Sequence, residues 1–89
     1  MKWIRYYSQN GLFSADKVVY VNLSHVVELI YSQDEGLWLY ISGHETPVNY
    51  LCNENVAKKV CRAFLAFSND EDKSTVFDIS KAIGEAEQG

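Results

Sequence analysis

His25, His44, Cys52 and Cys61 are the side chains of this 89-residue chain best suited to hold a soft metal or to attack a carbonyl. Zinc modules set their ligands in pairs about two to five residues apart, so that one tight turn aims both at the ion. No two of these four stand that close in sequence, and neither a metal nor a cofactor is expected. A thiol can also act as a nucleophile. Cys52 precedes a predicted helix, whose dipole would lower its pKa, and His25 or His44 could accept its proton. A catalytic or small-molecule-binding protein built on Cys52 and a histidine is therefore the alternative reading. The same position is also an ordinary strand-to-helix junction, and no catalytic residue is assigned. Asp34-Glu35 and Asp70-Glu71-Asp72 read as solvated loop clusters, without the ligand spacing and glycine of a calcium loop. Nor does the chain hold a glycine-rich phosphate loop.

The aromatic residues carry more. Six Tyr, four Phe and two Trp make up 13% of the chain, enough to build a recognition surface as well as a core. In a sheet covered on one side by a helix, alternate residues face the core and the solvent. Leu37, Leu39 and Ile41 match the core, so Trp38 and Tyr40 must point the other way. Trp3 and Tyr7 share a face of the first strand, and Tyr20, with Val18, takes one face of the adjacent ribbon. These five aromatics are the candidate partner-binding residues, because large rings bury much area at low entropic cost. Three occupants compete for that surface. The chain's own N-terminal strand, or its tail with Val76, Phe77 and Ile79, could fold over it; a second copy could form a homodimer on it; a different protein could bind it.

Regular elements must position these rings. Lys2 to Ser8 alternates as a strand and leads into an Asn10-Gly11 turn. A short arm, Leu12 to Ser14, precedes a turn at Ala15-Asp16-Lys17. Val18 to Leu23 is β-branched and aromatic, and the Asn22 to His25 stretch turns the chain. Val26 to Ser32 and Leu37 to Ser42 form a hairpin around Gln33-Asp34-Glu35-Gly36, where Gly36 can adopt a left-handed backbone. After the Gly43-His44-Glu45 turn, Thr46 to Leu51 is the next strand. Pro47 cannot donate to a ladder, so this strand is expected to lie at an edge or to begin after it.

The hydrophobic period then changes from two to 3.6. Asn53 is suited to cap a helix, with Glu54 in its first turn. Val56, Ala57, Val60, Cys61, Phe64, Leu65 and Phe67 form the apolar stripe, and Lys58, Lys59 and Arg62 face outward. Phe64 is expected in the core, where truncation to Ala costs about 3–5 kcal/mol. Residues 68–74 read as an acidic loop. In the tail, Thr75 to Ile79 reads as a strand, followed by a short helix capped by Ser80; a single helix from Thr75 is the other option.

The whole is expected to be one α+β domain. An antiparallel meander of four to five strands packs against one amphipathic helix in the C-terminal half, with a possible short strand and helix in the tail. A formal charge of −4 disfavours nucleic acid, and three helix cations would neutralise few phosphates. No apolar run approaches the ~20 residues that cross a bilayer, so no membrane partner is expected. Two cysteines do not make a disulfide scaffold, and Met1 to Asn10 lacks the apolar stretch of a signal peptide. The expected location is cytoplasmic.

Val21-Asn22-Leu23-Ser24-His25-Val26-Val27, Leu39-Tyr40-Ile41 with Gly43, and Glu54-Asn55-Val56-Ala57 together resemble short bacterial flagellar-accessory proteins of the FlbD type. Those proteins pair an asparagine-containing turn and a hydrophobic hairpin with a C-terminal helix. The resemblance lies in strand and helix pattern and carries no motif that implies an activity. The reading reached from the residues is a non-enzymatic protein-interaction domain, of adaptor or inhibitor type, acting through an aromatic sheet face centred on Trp38 and Tyr40.

Overall fold

A computed structural model describes residues 1–8, 17–69 and 73–88. The Asn10-Gly11 turn, the Leu12 to Ser14 arm and the centre of the acidic loop lie outside them. The described residues form an α+β fold of six strands and two helices. Strand β1 is Trp3–Ser8, β2 Lys17–Asn22, β3 Val26–Ser32, β4 Gly36–Ile41 and β5 Val48–Tyr50. Helix α1 (Glu54–Ser68), strand β6 (Val76–Asp78) and helix α2 (Ile79–Gln88) complete the order.

The strands divide into two three-stranded sheets, β2-β1-β6 and β3-β4-β5, rather than running as one meander. The division falls at the Asn22 turn. The Asn22 carboxamide oxygen accepts from the Ser24 amide at 3.0 Å and closes a single 3-10 turn over Leu23–His25. Each end of that turn is tied to a different sheet: the Leu23 amide donates to the Lys2 carbonyl at 2.9 Å, and the Ser42 amide to the His25 carbonyl at 2.7 Å. Strands β2 and β3 therefore never pair, and the free edge of β1 is taken by β6, running parallel. A parallel pair needs a long crossover. Here the crossover is everything from β2 to the acidic loop.

Within the second sheet the hairpin follows turn chemistry. Gly36 has a φ of +88°, and a Cβ there would lie 2.3 Å from the Tyr50 carbonyl oxygen, so both the backbone and the neighbour require glycine. Strand β5 begins just after Pro47 and forms the sheet's edge.

Helix α1 starts where expected, with the Asn53 side chain accepting from the Val56 amide at 2.9 Å. Its buried face is narrower than the stripe suggested. Val56, Ala57, Val60 and Phe67 are buried, Cys61 and Phe64 are half-buried, and Leu65 is 57% exposed. Phe67, at 1% exposure, is the central aromatic of the core rather than Phe64; both rings lie 5.7 Å from that of Phe77. The tail is a strand followed by a helix, and Asp78, not Ser80, caps α2 by accepting from the Lys81 amide at 3.0 Å. The Ser80 hydroxyl instead accepts from the Tyr7 amide at 3.3 Å. One buried cluster joins the inner faces of both sheets, through Ile4, Tyr6, Leu37 and Leu39, to Val60 and Phe67 of α1 and Ile79 and Ile83 of α2.

Candidate functional site

Because the core residues of each strand alternate with their neighbours, the register fixes what each sheet turns outward. On β2-β1-β6 the outward residues include Trp3, Arg5 and Tyr7, opposite Asn22, Tyr20 and Val18, with Val76 and Asp78 beside them on β6. Arg5 is the hub of this face. Its guanidinium is ion-paired with the Asp78 carboxylate and lies 5.2 Å from the Tyr7 ring centre and 5.9 Å from that of Tyr20. Hydrogen bonding to Tyr7, Asp78 and Tyr20 raises its already high pKa further. Tyr20 is 56% exposed and Tyr7, Val18 and Val76 are also exposed, but the face is organised around a charge that already has its partner.

On β3-β4-β5 the register places Ile30 opposite Trp38, Trp38 opposite Asn49, and Glu28 opposite Tyr40. The Trp38 and Tyr40 ring centres stand 6.5 Å apart, tilted by 38°. Ile30 and Tyr40 are exposed and Trp38 is half-buried. Asn49 turns its amide nitrogen to the backbone, donating to the Glu35 carbonyl at 2.7 Å and more distantly to that of Leu37. Among these residues Glu28 is the only charge. The sequence alone did not single out Ile30, yet the signal was present: pairing Val26 to Ser32 with Leu37 to Ser42 across the Gly36 turn sets Ile30 against Trp38.

The five predicted aromatics therefore fall into two groups. Trp38 and Tyr40 meet on one sheet, while Trp3, Tyr7 and Tyr20 share the outer face of the other. The tail does not bury Trp38 and Tyr40; β6 joins the other sheet, where Phe77 and Ile79 enter the core and Val76 stays exposed. Between the sheets lies an open groove of about 460 Å³. Trp3 and Tyr20 line it together with His25, His44 and Ser42.

Cys52 does not line that groove. The Cys52 thiol interacts with the backbone of Leu37, at the start of β4, whereas both histidines bond to the backbone at its far end, around Ile41 and Ser42. At ~3.3 Å per residue the two ends are roughly 16 Å apart. The expected Cys52–histidine pair is thus not brought together. Burial also pushes the Cys52 thiol up, against the lowering expected from the helix dipole, and burial pushes Cys61 up as well. Among the described residues, no three His, Cys, Asp or Glu side chains gather as a metal site, and no helix is long and apolar enough to cross a membrane. In comparison with known proteins, the chain matches no family model, no curated protein and no solved structure.

Proposed function

We propose that this chain is a small non-enzymatic interaction domain that binds a protein surface through the outer face of β3-β4-β5. Trp38 and Tyr40 are its anchors, and the Trp3, Tyr7 and Tyr20 face is a secondary contact. The observation that carries this reading is the juxtaposition of Ile30, Trp38 and Tyr40 on the side away from both helices, with Glu28 the single charge among them. Large rings with few charges around them make the centres of protein interfaces, where truncating one aromatic commonly removes about 2 kcal/mol or more of binding. An acidic surface favours a protein over nucleic acid as the partner. Two unpaired thiols fit a reducing compartment, and the cytoplasm is the proposed location.

The test is Trp38→Ala. Its side chain is half-buried on an outer face, so the variant should keep the unfolding midpoint close to that of the parent and lose association. If the variant unfolds instead, Trp38 is part of the core and the reading fails.

A further inference from the structure

The interaction surface ends at an open strand edge, and that edge identifies a partner. Among the described residues, β3 pairs only with β4, so no described strand takes the backbone donors and acceptors of its other side. Natural proteins guard such edges with charged side chains (lysine above all), proline, bulges or shortened strands. Strand β5, the opposite edge, is three residues long and follows Pro47. Strand β2, the other long edge, begins with Lys17. Strand β3 is seven residues long, holds neither lysine nor proline, and has its one register irregularity at the start, between Val26 and Glu28. Glu28–Ser32 is left as a regular stretch whose one charge, Glu28, stands at its start.

That stretch is complementary to itself. Laid antiparallel on its own copy about Ile30, it sets Ile30 against Ile30, Leu29 against Tyr31, and Glu28 against Ser32. Every residue keeps its face, because a register centred on one residue conserves the alternation. β-Branched and apolar–aromatic pairs are the favourable cross-strand combinations, and no like charges stand opposed. Leu29 and Tyr31 are half-buried against the core, so their inward contacts would continue across the join. On the outer face, the two Ile30 side chains would link the Trp38 and Tyr40 surfaces of both copies.

We infer that the regular Glu28–Ser32 edge of β3 pairs antiparallel with the same edge of a second copy, forming one six-stranded sheet. This rests on the outer-face reading above and names its partner as the chain itself.

Three forms of the full chain test it by light scattering across micromolar to millimolar concentrations: the parent, Ile30→Lys and Trp38→Ala. Ile30 is exposed, so Ile30→Lys should fold with an unchanged circular dichroism spectrum, yet oppose two lysines at the two-fold. The parent should dimerise, and Ile30→Lys should weaken the dimer by about tenfold or more. A second readout is covalent. Oxidised Ile30→Cys should give a disulfide-linked dimer on a non-reducing gel, whereas the parent, with only half-buried Cys52 and Cys61, should not. A parent that stays monomeric throughout overturns the edge pairing. A dimer that Trp38→Ala weakens and Ile30→Lys does not also overturns it, while leaving the outer-face reading in place. A dimer broken by Ile30→Lys but untouched by Trp38→Ala supports the edge pairing and removes Trp38 as the anchor of the outer face.

Discussion

In the β2-β1-β6 sheet the outward rings flank a charge; in the β3-β4-β5 sheet they flank each other and an aliphatic side chain. Tyr7 and Tyr20 lie on either side of Arg5, whose charge is answered by Asp78 from a strand at the opposite end of the chain. Those rings help close the fold, because β6 and β1 meet only when the N-terminal strand and the tail come together. Trp38, Tyr40 and Ile30 belong to one local hairpin, on the face opposite Leu37 and Leu39 of the core. Exposed aromatics with similar sequence surroundings thus stand in different settings, one set around an ion pair that joins β1 to β6 and the other around an aliphatic neighbour on one hairpin. The distinction is that Arg5 lies over the rings of the first sheet and is ion-paired across strands, whereas on the second Trp38 stands beside Tyr40 and opposite Ile30.

If that comparison is right, damage to the first sheet should unfold the molecule and damage to the outer face of the second should not. The largest loss should follow Phe67→Ala. Phe67 supports Phe77 of β6 and takes the Lys2 ammonium over its ring, so its removal opens the junction of α1 with the first sheet. Unfolding by urea should show a loss of about 3–5 kcal/mol, with a smaller one for half-buried Phe64. Equal losses would mean that the two rings share the core evenly.

Alkaline titration should come next in size. Burial pushes Tyr50 on β5 up to about 12 and raises Tyr6 on β1 as well. Both folded values exceed the ordinary phenol value near 10, so the folded state holds protons that the unfolded chain releases. The stability from these groups is complete below about pH 10 and is lost as the pH rises toward their folded values. Tyr50→Phe should flatten the fall in melting temperature more than Tyr6→Phe. The reverse order would place the more protected phenol in the first sheet.

Asp78 should show a smaller effect, divided between its two roles. Asp78→Ala removes both the α2 cap and the Arg5 partner, and the cap alone is worth about 1 kcal/mol. Asp78→Asn keeps a capping acceptor and removes only the charge, so it should lose less. If the two variants lose the same stability, the ion pair rather than the cap is what Asp78 supplies, and the charge-centred account of the first sheet gains weight.

Much of this molecule can be read from local chemistry. The Asn53 cap, the Gly36 turn, the placement of Pro47 at an edge and the alternation of Leu37 to Ile41 each depend on a few neighbouring residues, and the fold class follows from them. What could not be read is what joins distant segments. Nothing in Val76-Phe77-Asp78 announces a parallel partner sixty or more residues earlier, and nothing near Arg5 announces Asp78. Phe64 and Phe67 are interchangeable in a helical period; the position of Phe77 decides which is deeper, and β6 sets that position. The Cys52 hypothesis had the same weakness, because its distance from the histidines depends on the length of β4 rather than on any spacing in the sequence. The Trp38–Tyr40 pairing was legible because it needs one strand, while its relation to Ile30 needed the hairpin register as well.

The smallest expected effect on stability belongs to the residue with the largest expected effect on association. One paired experiment on the parent and Trp38→Ala therefore decides the role of the outer face: thermal unfolding together with solution mass by light scattering. Nearly coincident melting curves are expected, with association weakened about tenfold or more in the variant. A variant that melts well below the parent, or that associates just as tightly, would contradict that expectation.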